Sequence, residues 1–351
     1  MLSKTLALLG NFAAFIAAFT LVCAGVGALL PEQKVPIVST KLDWLAEHGD
    51  DYDTLFIGSS RTYHQILPEM FDTDMAAAGH PVRSFNAGVD GMRPPEDTYL
   101  LEKILAHRTK PVRLVLVECN FIRLQQRGMD RDTLRMVYWH DNVRMGTLLR
   151  AVWIGDGNKR MLRRFKKVLE KWPDFPDHIR YWMWQNSNLG RGHDMLAEWT
   201  GMAPRNGLLA SDLGKRNDGY KPFSGTSLAN EEQIVVYEKD IAAMRAKLVR
   251  ANGGDPVSLA ELLVKQRLIE KAGGRMVLVL PPYIGENFFS PKQGEGMPPL
   301  LDFSDPEKYP ELFSNENRAD SAHTNVAGSH IYTHLVVREL LSLLNAEAAK
   351  K

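Results

Sequence analysis

Asp320 and His323 stand three residues apart in the polar segment Asp320-Ser-Ala-His323-Thr-Asn325-Val-Ala-Gly328, just ahead of an apolar run. An imidazole that takes up a proton, with a carboxylate near enough to fix its tautomer, is the acid–base half of a hydrolytic site. The other half is a nucleophile. Far upstream, Leu55-Phe56-Ile57-Gly58-Ser59-Ser60-Arg61 reads as a short apolar strand that breaks at glycine into paired serines. A serine opening the next helix gains from the free N–H groups and positive dipole end there. Ser60, His323 and Asp320 together predict acyl transfer through a serine ester: Ser60 attacks, His323 carries the proton and Asp320 orients the imidazole. Taken singly, the serine pair is equally a helix cap and the Asp/His pair a surface turn.

Two further blocks fall between these. Ser84-Phe85-Asn86-Ala87-Gly88-Val89-Asp90-Gly91 is a strand ending in a glycine-containing loop, and a glycine at a sheet edge can aim its N–H at a substrate oxygen. Val115-Leu116-Val117-Glu118-Cys119-Asn120 is a strand ending in Asn, whose carboxamide can donate to the same oxygen or cap the next turn. Glu118 either helps hold the site or is solvated. His323 and His330 lie seven apart with no thiolate nearby, and His64, His80 and His107 form no ligand-like cluster, so neither metal nor cofactor is predicted.

These residues need a scaffold that gathers strand ends. Hydrophobic runs and turn signals predict strands over 54–57, 82–86, 112–117 and 275–280. They predict helices over 41–48, 68–78, 95–107, 258–272 and 327–346. Runs such as Leu114-Val115-Leu116-Val117 and Met276-Val277-Leu278-Val279-Leu280 are apolar on both faces, as buried parallel strands are. The expected fold is α/β: a three-layer α/β/α sandwich, doubly wound, with ligands at the carboxyl ends of its strands. From about 125 to 255 the alternation stops. That stretch is rich in tryptophan (Trp153, Trp172, Trp182, Trp184, Trp199) and reads as a helical insertion, flanked by a polar, glycine-rich loop over 206–230. Residues 158–172 spell an apolar face opposite basic residues, suited to anionic lipid or acidic polymer, or to packing on the sheet. Tyr181-Trp182-Met183-Trp184 suits sugar stacking or core packing.

The net charge of +1 gives no field that favours nucleic acid, and none is expected as a partner. The two cysteines, Cys23 and Cys119, are poorly placed to pair. After Lys4, residues 5–30 carry no charge. A bilayer span needs about 20 such residues, whereas a signal-peptide core has only about 7–15. The expectation is an N-terminal transmembrane anchor over 1–30 with Lys4 in the cytoplasm, a stalk over 31–53 and a catalytic domain over 54–350 outside. The rival is a signal peptide cleaved after Ala28.

The order and spacing of the four blocks resemble the SGNH (GDSL-like) hydrolase superfamily, over about 54–125 and 258–346. The resemblance implies a flavodoxin-like parallel sheet and Ser60, third in Gly58-Ser59-Ser60, as nucleophile. It further implies an oxyanion hole of the Ser60 N–H, the Gly91 N–H (Gly88 as fallback) and the Asn120 side chain. Departures exist: Ser59 stands where many members carry Asp, Glu118 replaces a glycine and Phe121 replaces a common Asp. Gly-Ser-Ser, the anchor and the Pro281-Pro282 step resemble the membrane-anchored branch that works beside membrane-bound O-acyltransferases, with members for alginate O-acetylation and teichoic-acid D-alanylation. That resemblance implies an enzyme of the cytoplasmic membrane with a periplasmic or otherwise extracytoplasmic catalytic domain. It would O-acetylate a cell-surface polysaccharide. The alternatives are a carbohydrate or lipase-like esterase, and a polymer-binding accessory without turnover.

Overall fold

The computed structural model describes residues 2–27, 34–122, 131–154, 173–187, 200–201, 213–224, 228, 230–246, 255–284 and 289–349. They form two compact units: Met1–Pro36 with Leu124–Gly207, and Ile37–Arg123 with Leu208–Lys351.

The first unit begins with α1 (Leu2–Gly27), whose segment Lys4–Gly25 is long and apolar enough to span a membrane. From Lys4 to Gly25 every residue is exposed except Cys23, which is half-buried. The later helices of this unit, named below by range, include Leu134–Tyr138, Asn142–Ile154 and Phe175–Ser187. The last of these buries Phe175, His178 and Tyr181. The basic stretch 158–172 lies outside the described residues.

The second unit is built on a parallel five-stranded sheet. Its strands are β1 (Thr54–Ile57), β2 (Ser84–Asn86), β3 (Leu114–Glu118), β4 (Arg275–Leu280) and β5 (Leu300–Asp302), in the order β2-β1-β3-β4-β5. β1, β2 and β3 are buried throughout, as continuous apolar runs require of strands covered on both faces. Thr54 pairs with Ser84 on one side and Leu114 on the other, so β1 is an interior strand and the ends of β1 and β3 lie side by side. The edge strand β5 was not anticipated. It is three residues long, and a run that short carries no periodicity to read.

In chain order, α2 is Val38–His48, α3 Ser60–Tyr63, α4 Pro68–Ala77 and α5 Glu96–Ala106. The helices Leu134–Tyr138, Asn142–Ile154 and Phe175–Ser187 are α6, α7 and α8; α9 is Glu231–Ala246, α10 Pro256–Lys271, α11 Pro310–Phe313 and α12 Val326–Ala348. The core over one sheet face joins Phe56, Leu114, Leu116, Val277 and Val279 to Phe71 and Met75 of α4 and Tyr332, Val336 and Leu340 of α12. Asp255 caps α10 and Asn325 caps α12 through their side chains.

Two segments differ from the sequence expectation. α2 is not a free stalk: Val38, Lys41 and Leu45 are buried in the sheet unit. The expected insertion also divides, because residues from 208 onward belong with the sheet rather than with 124–207. Within them, 213–224 runs beside the other edge strand, β2, where the Asn86 N–H donates to the Asp218 carbonyl at 2.8 Å.

Candidate active site

β1 ends at Ile57 and the chain turns at Gly58, where a Cβ would come within 2.1 Å of Thr62 Oγ1 and 2.4 Å of Glu118 Oε2. Only glycine fits so close an approach. Ser59 then caps α3, its Oγ accepting the Arg61 N–H at 3.3 Å. Ser60 is therefore the first helical residue, and none of the described residues accepts its N–H.

Ser60 Oγ lies 2.8 Å from His323 Nε2, although the two residues are 263 positions apart. His323 Nδ1 lies 2.9 Å from both carboxylate oxygens of Asp320. Asp320 Oδ1 also accepts the N–H groups of Ala322 and His323, each at 2.7 Å. Burial would raise the Asp320 carboxyl, but these donors and the imidazole outweigh it and hold the group below the ordinary carboxylate range. With Asp320 charged, the proton sits on Nδ1 and Nε2 accepts from the Ser60 hydroxyl. The imidazole is thereby aligned to receive a proton from Ser60 and to carry positive charge transiently.

Several polar contacts fix this meeting. Gln65, just after α3, donates from Nε2 to the Ala322 carbonyl at 3.1 Å. Thr333 of α12 accepts the Leu67 N–H at 3.1 Å, and Ser329 donates to the His64 carbonyl at 3.1 Å. Arg318, 2% exposed, donates to the carbonyls of Pro282 and Asp320 at 3.1 Å and of Ser321 at 2.8 Å. It thus welds the Pro281-Pro282 step after β4 to the Asp320–His323 turn. Burial lowers its guanidinium to about 10, which leaves it charged at neutral pH.

Under the serine turn sits Glu118, fully buried at the end of β3. It accepts the Ser59 N–H at 2.6 Å, the Ser59 hydroxyl at 2.9 Å and the Thr62 hydroxyl at 3.0 Å, and pairs with Arg61 at 2.6 Å. Burial would raise this carboxyl, but the Arg61 charge and the Ser59 donors bring it below its usual range. Arg61 also donates to Asn120 Oδ1 at 2.7 Å, which fixes the carboxamide's orientation. Asn120 Nδ2 is then left buried with no acceptor in hydrogen-bond geometry, near the Glu118 carboxylate that it helps to keep charged. A buried unpaired donor costs about 1–3 kcal/mol unless something fills it, so it is poised for an oxygen from outside the chain.

The two glycines of the second block separate clearly. The Gly88 N–H is already committed to Asn86 Oδ1 at 3.0 Å, and a Cβ there would lie 2.5 Å from the Tyr63 nitrogen. Gly91 occupies a left-handed turn at φ 64° in the same loop. Lys41, fully buried, holds this loop to 213–224 by donating to the carbonyls of Asn86, Gly88 and Gly219 at 2.8, 2.6 and 2.8 Å. Burial pushes its ammonium well below the usual value, against the pull of Asp90. Beyond Gly219, Phe223 stacks on the His323 ring, with centroids 4.3 Å apart and planes 13° apart. Cys119 is buried, which pushes its thiol far up and disfavours the thiolate.

The structure thus gathers Ser60, His323 and Asp320 into one relay, with Asn120 linked to it through Arg61. Arg61, Arg318, Phe223 and Lys41 were missed by sequence reasoning, since an arginine or lysine is exposed by default and Phe223 lies in a polar loop. The chain matches no family model and none of the curated proteins with which it was compared.

Proposed function

We propose that this chain is an extracytoplasmic, membrane-anchored serine acyl-transfer enzyme of the SGNH type that O-acetylates a cell-surface or exported polysaccharide. The single observation that carries the reading is the Ser60–His323–Asp320 relay at 2.8 and 2.9 Å. The strand order β2-β1-β3-β4-β5 supports the finer description, a three-layer flavodoxin-like sandwich, because that order belongs to sheets whose ligands sit beyond the strand carboxyl ends. Ser60 and Asn120 follow two such ends.

In the first half-reaction Ser60 Oγ bonds to the acyl carbonyl carbon while His323 Nε2 takes the hydroxyl proton. The tetrahedral oxyanion accepts hydrogen bonds from the Ser60 N–H, the Asn120 Nδ2 and, by the superfamily pattern, the Gly91 N–H. Collapse breaks the ester bond of the donor, and His323 returns the proton to the departing oxygen. In the second half a sugar hydroxyl gives its proton to His323 and attacks the acyl carbon; the ester bond to Ser60 Oγ then breaks, and His323 returns the proton to that oxygen. Attack by water instead would make the protein an esterase. Asp320 stays ionised throughout and offsets the charge on the imidazole. α1 supports anchorage in the cytoplasmic membrane, with the sheet unit on the periplasmic side and a membrane-bound O-acyltransferase as acyl supplier.

A fluorophosphonate probe tests the nucleophile. Covalent labelling at Ser60 of the folded full chain is expected, and its absence would favour a polymer-binding accessory without turnover. Incubation with a model acetyl ester and an oligosaccharide acceptor tests the second half: acetylated sugar is expected, and acetate alone would turn the reading to an esterase.

A further inference from the structure

Beside the serine turn lies a partly open cavity of about 180 Å³, and the described residues that line it all belong to the sheet unit. Phe121, Leu280, Tyr283 and Phe289 give it ring and aliphatic walls, and Phe121 and Phe289 pack with centroids 5.5 Å apart. Asn120, Arg61 and Arg93 supply polar lining. Asn120, 8% exposed, is part of that lining, and its buried Nδ2 meets no acceptor in hydrogen-bond geometry. The guanidinium of Arg61 lies over the Tyr283 ring at 4.8 Å and is neutralised by Glu118.

We propose that this cavity is the acyl-binding pocket of the site and that it restricts the transferred group to short acyl chains, of about two to four carbons. The inference rests on the reading of Ser60 as nucleophile and deepens it. If Asn120 Nδ2 donates to the developing oxyanion, the carbonyl carbon sits at the mouth of this cavity, and one of its two substituents must enter. A glycopolymer cannot: a space of similar size, about 150 Å³, holds one benzene. The acyl group enters and the polymer lies outside. Volume and polarity then set the limit together. A chain of eight carbons exceeds the space, and arginine and amide groups give a long hydrocarbon no continuous apolar wall. Short acyl esters satisfy both, so lipid-length chains are excluded as donors.

The test uses the full chain in detergent micelles with p-nitrophenyl esters from acetate to decanoate, alongside fluorophosphonate labelling of Ser60. We expect p-nitrophenol release to fall at least about tenfold between butyrate and octanoate, as a single misfitting methylene costs about 10–200-fold in a closed pocket. Phe289→Ala should move the cutoff to longer chains, with Tyr283→Ala serving the same purpose if that variant does not fold. A rate that is flat or rising with chain length, in protein that labels at Ser60, overturns the pocket assignment and leaves the serine chemistry standing. Absence of both labelling and ester turnover overturns the serine chemistry, and the pocket with it.

Discussion

Glu118→Gln isolates what holds the serine turn in place. The carboxylate takes four donors from Ser59, Thr62 and Arg61 in a fully buried position. Glutamine keeps the shape but removes the charge, and its amide hydrogens face donors instead of acceptors. Arg61, whose side chain is 11% exposed, then loses its partner. Breaking one side of such a buried pair costs about 3–5 kcal/mol, and at about 2–4 °C per kcal/mol for a domain of this size Tm should fall by about 6–20 °C. The sign with pH comes from the lowered carboxyl. Its contribution is complete above the unfolded glutamate value of about 4.3 and is lost as pH falls through the lower folded value. Glu118→Gln should therefore flatten the acid side of the stability profile. Arg61, no longer held by the carboxylate, also orients Asn120 less firmly, so labelling of Ser60 by fluorophosphonate should slow. The assay is thermal unfolding by circular dichroism from pH 3 to 8, with labelling rates in parallel. A variant that melts within about 2 °C of the parent and labels at the same rate would refute the idea that Glu118 braces the turn.

Asp320→Asn should lower kcat for ester cleavage by about 10²–10⁴-fold, because an amide supports the wrong tautomer and leaves the imidazolium unbalanced. Since the folded Asp320 carboxyl lies below its usual range, the stability it contributes is present above about 3.9 and lost on further acidification, and calorimetry on the variant should show that dependence gone. Asn120→Ala should cost about 10²–10³-fold in kcat, measured with acetate ester, while Tm moves far less than in Glu118→Gln because a buried unpaired donor is removed with it. Phe223→Leu should lose the stack on His323, about 0.5–1.5 kcal/mol, or about 2–12-fold in kcat/KM, and Phe223→Trp should retain most of it.

The residue types and the hydrophobic rhythm decided much of this protein on their own. Leu114–Glu118 and Arg275–Leu280 are buried parallel strands because runs of β-branched and aliphatic side chains leave no polar face to expose. Gly58 forces the turn that starts α3, Asn325 caps α12, and a charge-free run makes α1 long enough for a bilayer; each of these is local and readable along the chain. What the fold alone decided is which distant groups meet. Nothing near Glu118 in sequence announces Ser59 and Arg61, because the parallel pairing of β1 with β3 is what sets their ends together. Burial of Arg318, the orphaned amide of Asn120 and the stacking of Phe223 on His323 likewise arise from long-range packing. Side chains that are solvated by default in an isolated segment are desolvated there and must find partners across the molecule.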